Sequence, residues 1–312
     1  MSHRRVPAQL GKVHGGRAER EDVTVEHFAN GGLRFDVTDT PAAGGGTAET
    51  VILLHGYPED RHSWDAVASR LAEAGYRVLA PDQRGYSPAA RPTARAAYTL
   101  PRLATDVLAL ADAAGAERFH LVGQDWGAVL AWYVAGTHAG RLLSLAAFSV
   151  PHPQAFYRAL VTSRQAAMSW YMAAFQVPWV PERLMSLRGG AIMREVLVRT
   201  GLDATHASHY AKRGANPAVM RGPLNWYRAL PLEAHVRTPP VEVPTLFLWG
   251  DRERFISRAA AELCGRYVTG SYRFEVLQGA SHWLPEEAPA RVSILLAEHF
   301  AQASGGTSST SP

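Results

Sequence analysis

The sequence predicts an α/β protein: a mostly parallel central sheet flanked by helices, with a helical cap inserted into it. Three observations carry this expectation. Short apolar runs such as Val51-Ile52-Leu53-Leu54 alternate with longer helical stretches, the rhythm that builds a parallel sheet covered on both faces. At Gly123-Gln124-Asp125-Trp126-Gly127 a buried strand turns directly into a helix. The rhythm stops at Pro151-His152-Pro153 and resumes only at Thr245, with helical pieces rich in Ala, Met, Arg and aromatics between.

Bulk properties narrow the functional classes. The 312 residues, 47% of them hydrophobic, suffice for one large domain or for one domain with an insertion. No apolar run approaches the length of a membrane span, and the basic start Met1-Ser2-His3-Arg4-Arg5 lacks the apolar stretch of a secretory signal. The single cysteine, Cys264, cannot form an intrachain disulfide, which fits a reducing compartment. A cytoplasmic location is therefore expected. Net charge is +4, but the arginines are scattered and mostly sit beside acids. Neither nucleic acid nor a membrane is expected as a partner. No Gly-rich phosphate loop occurs, and no cofactor or metal is expected.

Taken in order, residues 23–40 read as a hairpin turning at Asn30-Gly31-Gly32. Residues 42–48 form a Gly/Ala-rich loop, and Val51-Ile52-Leu53-Leu54 is a central strand. A helix over 64–74 ends at Gly75. The strand Tyr76-Arg77-Val78-Leu79-Ala80-Pro81 leaves through Asp82-Gln83-Arg84-Gly85-Tyr86-Ser87, a turn given a structural role, and a helix spans 100–114. After the Gly123 junction come a buried strand over 142–150 and then the insertion. Thr245-Leu246-Phe247-Leu248-Trp249, a helix over 256–267, a last strand over 273–277 and a closing helix over 289–301 complete the chain. The expected organisation is a flexible arm at 1–21, a core at 22–150 and 238–302, a helical cap at 151–237 and a flexible tail at 303–312.

Asp125 is the centre of the chemistry. Glycines two before and two after it permit a strained backbone between strand and helix, where bulky flanks would clash. Read alone, the pentapeptide also fits a Gly-bounded turn with Asp125 capping the helix. An aspartate of pKa about 3.9 is ionised at neutral pH without help. It can displace a leaving group from carbon and form an ester, which a separate base then hydrolyses.

The pentapeptide resembles the nucleophile elbow Gly-x-Ser-x-Gly with aspartate in place of serine. From about residue 23 to 300 the chain resembles the α/β-hydrolase superfamily, specifically its aspartate-nucleophile branch of epoxide hydrolases and haloalkane dehalogenases. The resemblance implies several roles. His55-Gly56-Tyr57-Pro58 would place the Tyr57 amide, with that of Trp126, in an oxyanion hole. His282, in Gly279-Ala280-Ser281-His282-Trp283, would be the base. Its orienting acid would be Glu253 of Gly250-Asp251-Arg252-Glu253, with Asp251 as the alternative. Ser149 and Pro151 stand where some relatives carry that acid.

The leaving group separates the two subfamilies. Dehalogenases usually read His-Gly-Asn-Pro, using the Asn amide to cradle halide; here the residue is Tyr57. Epoxide hydrolases supply two cap tyrosines that donate to the epoxide oxygen. The segments Tyr171-Met172-Ala173-Ala174-Phe175-Gln176-Val177-Pro178 and Arg221-Gly222-Pro223-Leu224-Asn225-Trp226-Tyr227-Arg228 resemble the two that bear them. Tyr171 and Tyr227 are thus the candidates, the alternative being aromatic packing. The implied function is a cofactor-independent epoxide hydrolase acting on a largely apolar small molecule, as a monomer or homodimer. A dehalogenase, and a catalytically silent ligand-binding protein of this fold, are the alternatives.

Overall fold

The computed structural model describes residues 24–44 and 48–305. The expected N-terminal arm at 1–21 lies outside the described residues. So do Val23, most of the Gly/Ala-rich loop's centre at 45–47, and the tail from 306.

The chain opens with β1 (His27–Asn30) and β2 (Leu33–Thr40), an antiparallel hairpin. Both turn residues, Gly31 and Gly32, take positive φ (56° and 79°), as a two-residue hairpin turn with native twist requires. Strand β1 starts later than expected, because the Val25 amide donates to the Asp39 carboxylate (2.8 Å) instead of joining the ladder. Then follow β3 (Thr50–Leu54), α1 (Asp65–Glu73), β4 (Arg77–Pro81), α2 (Leu100–Ala113), β5 (Phe119–Gln124), α3 (Trp126–Thr137) and β6 (Leu142–Phe148). From β6 to the next strand the regular elements are helices: α4 (Pro153–Thr162), α5 (Gln165–Met168), α6 (Trp170–Ala174), α7 (Val180–Arg199), α8 (Ala204–Gly214) and α9 (Pro217–Ala229), with a 3-10 turn after them. The chain closes with β7 (Thr245–Gly250), α10 (Arg258–Leu263), β8 (Tyr272–Leu277), α11 (Leu284–Glu287) and α12 (Pro289–Gly305).

The described strands form one eight-stranded sheet in the order β1-β2-β4-β3-β5-β6-β7-β8. Pairing is antiparallel through β1, β2 and β4 and parallel from β4 to β8. The central strands are buried on both faces. Along β3, Ile52 and Leu54 join one apolar cluster while Val51 and Leu53 join the other, the two-residue alternation of a strand between two helical layers. A third cluster, with Met193, Tyr210, Met220 and Leu224, lies in the helical insertion and reaches Trp283 of the core.

Other boundaries also differ from expectation. The strand over 142–150 ends at Phe148, because Ser149 turns into left-handed backbone at φ 62°. The helix over 256–267 is shorter: Ser257 caps α10, which gives way to a 3-10 turn at Cys264–Tyr267. Helix α12 runs to Gly305, beyond the expected core boundary at 302. Among the described residues no helix is long and apolar enough to cross a membrane.

Candidate active site

Asp125 sits between β5 and α3 with φ 50° and ψ −116°, a conformation that L-residues rarely adopt. Packing enforces it. A Cβ on Gly123 would lie 2.2 Å from the Gly127 carbonyl oxygen, and one on Gly127 would lie 2.1 Å from that of Leu54. The side chain of Asp125 does not cap α3. It points instead toward the β3 loop and His282.

The β3 loop supplies the first contact. The Tyr57 amide donates to Oδ1 of Asp125 at 2.8 Å. Gly56 is pressed so close that a Cβ there would meet the Cβ of Asp125 at 2.4 Å. The loop is anchored from behind by Glu59, whose Oε2 accepts the Gly56 amide at 2.6 Å. Glu59 is fully buried, and burial with the nearby Glu286 holds its pKa well above the usual range. The Trp126 amide is the first of α3, where the helix itself offers no acceptor.

His282 presents its two ring nitrogens to two carboxylates. Nδ1 lies 2.6 Å from Oε2 of Glu253, and Nε2 lies 3.4 Å from Oδ2 of Asp125. The other oxygen of Glu253 accepts the Phe255 amide at 2.7 Å, so that carboxylate is fixed at both ends. Asp251 turns away, accepting the Gly279 amide at 2.7 Å on the surface. Burial opposes an imidazolium, but Glu253 and Asp125 outweigh it and hold the His282 pKa well above its ordinary value.

Tyr171 on α6 and Tyr227 on α9 line, with Asp125 and Trp126, one cavity of about 70 Å³. Their ring centroids are 6.1 Å apart. Much of the remaining wall is apolar, including Val129, Met172, Leu230 and Phe255. Burial first, then the Asp125 charge, raises the pKa of both phenols, so both stay protonated. The Tyr57 phenol turns aside to Sδ of Met185 (2.9 Å).

The Asp82-Gln83-Arg84-Gly85 turn explains how α9 reaches the site. Arg84 pairs bidentately with Asp106 in the interior (2.9 and 2.7 Å), and its carbonyl accepts the Trp226 indole N–H (2.9 Å). Gly85 and Gly222 touch backbone to backbone, bringing Tyr227 down toward Trp126 (centroids 4.9 Å). Arg228 then ties α9 to the α6–α7 loop through the Phe175 and Val177 carbonyls and to α7 through Glu182.

Two residues that hold His282 escaped the sequence reading. Gln124 Nε2 and Ser149 Oγ both donate to the His282 carbonyl, at 2.6 and 2.8 Å. In the sequence Ser149 stands only as a position without an acid; in the structure its backbone is left-handed and its hydroxyl reaches His282. Glu59, directly after His-Gly-Tyr-Pro, escapes as well, because the polar run Glu59-Asp60-Arg61-His62-Ser63 reads as an exposed turn. Among the described residues no group of three or more His, Cys, Asp or Glu could hold a metal ion.

The sheet order, the strained aspartate at the strand-to-helix turn and the histidine after the last strand define a hydrolase of the α/β type. The profile of the alpha/beta hydrolase fold family matches residues 49–289, and the chain belongs to that superfamily. Within it, the chain is similar to epoxide hydrolases. It is 33% identical over 279 residues to human Epoxide hydrolase 4, covering 85% of this chain and 75% of that protein. It is 33% identical over 308 residues to Epoxide hydrolase A of Mycobacterium tuberculosis, covering 86% and 94%. Its structure superposes on that of Epoxide Hydrolase A from Mycobacterium thermoresistibile with a TM-score of 0.72 at 28% identity, covering 88% of this chain and 96% of the other.

Proposed function

We propose that the protein hydrolyses epoxides of small, largely apolar molecules to vicinal diols through an ester on Asp125. The observation that carries this reading is the placement of two protonated phenols, Tyr171 and Tyr227, in the same cavity as the Asp125 carboxylate. A carboxylate facing proton donors across an apolar cavity suits opening of a strained ether, in which a nucleophile enters at carbon while oxygen gains charge.

In this account the segment 151–237 acts as a cap that closes the site over the sheet. Oδ2 of Asp125 attacks a ring carbon, the C–O bond breaks, and the departing oxygen takes a proton from Tyr171 or Tyr227. The product is an ester whose carbonyl oxygen is Oδ1, already at the Tyr57 amide. His282, oriented by Glu253, takes a proton from water, and the hydroxide adds to the ester carbon. The Tyr57 and Trp126 amides hold the resulting oxyanion. Collapse expels the diol oxygen, which takes the proton of the added hydroxyl as the carboxylate is regenerated, and the proton on His282 passes to the tyrosinate.

The leaving group can be tested directly. Purified protein incubated with styrene oxide should yield phenylethanediol, and with 1-bromobutane it should release little bromide, because Tyr57 replaces the halide-binding amide. Brisk bromide release without diol formation would replace the epoxide hydrolase reading by a dehalogenase. Binding of either compound without turnover would support a silent ligand-binding protein.

A further inference from the structure

We propose that the outer face of the α4–α7 segment is a docking surface for an anionic lipid bilayer. Large apolar side chains stand exposed along it: Val161 is 84% exposed, Trp170 70% and Trp179 65%, with Val180, Leu184 and Leu187 following. A soluble surface scatters such residues singly, so a succession of them marks an interaction face. Trp179 adopts left-handed backbone (φ 63°), which a bulky residue rarely does, and its ring nevertheless faces solvent.

The face adjoins the candidate active site. Trp170 is exposed on α6, whereas its neighbours Tyr171 and Met172 line the cavity. Tyr157 also lines the cavity yet is 45% exposed, which puts it at the mouth. Val161 follows it on α4 by four residues and shares its side of the helix.

Charge selects the occupant. Between residues 151 and 190 the cations are Arg158, Arg164, Arg183 and Arg188, all exposed. The sole acid there is Glu182, buried and paired with Arg228 at 2.6 and 3.0 Å. The apolar face is therefore rimmed mainly by arginines; the nearest exposed acids, Glu195 farther along α7 and Glu262 on α10, are each paired with an arginine of their own helix, Arg199 and Arg258. A second copy docking symmetrically would set these arginines against themselves. Anionic headgroups complement them, while tryptophans settle at the interface level. The expectation that a membrane is no partner rested on the absence of long apolar runs, and a surface patch needs none. If the proposed activity holds, apolar epoxides dissolved in the lipid would meet the cavity mouth directly; the docking itself does not depend on that activity.

The test is flotation of the full chain with vesicles of phosphatidylcholine alone and of phosphatidylcholine mixed with phosphatidylglycerol. Binding to the mixed vesicles at low salt, weakened by salt and much weaker with phosphatidylcholine alone, is expected. Trp170→Ser combined with Trp179→Ser should weaken binding roughly tenfold or more. Arg183→Gln and Arg188→Gln should each weaken it about fivefold, equivalent to about 1 kcal/mol per arginine. Ile294→Ser, at an equally exposed position on α12, should change nothing. Absence of flotation, or flotation unaffected by the tryptophan and arginine variants, would overturn the proposal. A dimer in analytical ultracentrifugation that the tryptophan variant dissolves, with no vesicle binding, would assign the face to a second copy instead. Flotation is read without turnover, so a protein that binds vesicles but opens no epoxide would refute only the proposed activity.

Discussion

Nε2 of His282 lies 3.4 Å from Oδ2 of Asp125, longer than an ordinary hydrogen bond. The histidine thus faces the Asp125 carboxylate without being firmly bonded to it. The Asp125 charge also helps to raise the His282 pKa, against the burial that lowers it. In the proposed ester that charge is gone, which lowers the His282 pKa at the stage that requires a base, while Glu253 stays beside the ring.

The first prediction separates the two chemical steps. His282→Gln should still alkylate Asp125, because a carboxylate needs no base to attack. The ester should then persist, visible by mass spectrometry of the intact protein as the protein mass plus that of the epoxide. A variant that binds epoxide and accumulates no adduct would show that His282 also serves the first step.

A second prediction follows from linkage. A histidine whose folded pKa is raised adds stability that is fully present below its unfolded pKa, about 6.5, and is lost as pH rises through the folded value. The melting temperature of the wild type relative to His282→Gln should therefore be highest in mild acid and decline toward alkaline pH. A difference that is flat from pH 6 to 10, or that grows with pH, would contradict the assigned direction.

The competition between two acids for His282 gives a third. Glu253 contacts the ring and Asp251 does not. Glu253→Gln should slow ester hydrolysis by about a hundredfold or more, since an amide can hold the wrong tautomer and cannot stabilise the cation. Asp251→Asn should stay within a few-fold of wild type. Single-turnover decay of the ester ranks the two, and the reverse order would move the orienting role to Asp251.

Much of this arrangement is legible in the sequence because it rests on local rules. Glycines flanking Asp125 announce a crowded turn, and the close contacts of Gly123 and Gly127 are its physical cause. Apolar runs report strands buried on both faces, so the parallel part of the sheet can be read off directly. What escapes is long-range. Nothing near Ser149 or Gln124 in sequence indicates that both will hold the carbonyl of His282. The choice between Glu253 and Asp251 depends on which way a loop turns after β7, and two acids two positions apart leave that open. The exposure of Trp170 and Trp179 escapes too, because sequence records hydrophobicity but not whether a neighbour covers it.

The tyrosines furnish a fourth prediction. Phenylalanine keeps the ring and removes the proton donor. Loss of one preorganised donor costs about 3–4 kcal/mol, a hundred- to thousandfold in rate, and a remaining second donor softens that loss. Tyr171→Phe and Tyr227→Phe should each slow alkylation of Asp125, and the double variant should lose far more than either. Pre-steady-state alkylation by styrene oxide gives the rates. Wild-type alkylation in the double variant would reduce both residues to packing.

The central claim is the covalent ester on Asp125, and a single turnover in oxygen-18 water tests it most directly. With enzyme in excess over epoxide, the oxygen added to the diol comes from the Asp125 carboxylate. The diol should therefore be unlabelled, and the label should appear in the peptide containing Asp125. Label found in the diol of that first turnover, with none in Asp125, would mean that water attacks the epoxide directly and that Asp125 is no nucleophile.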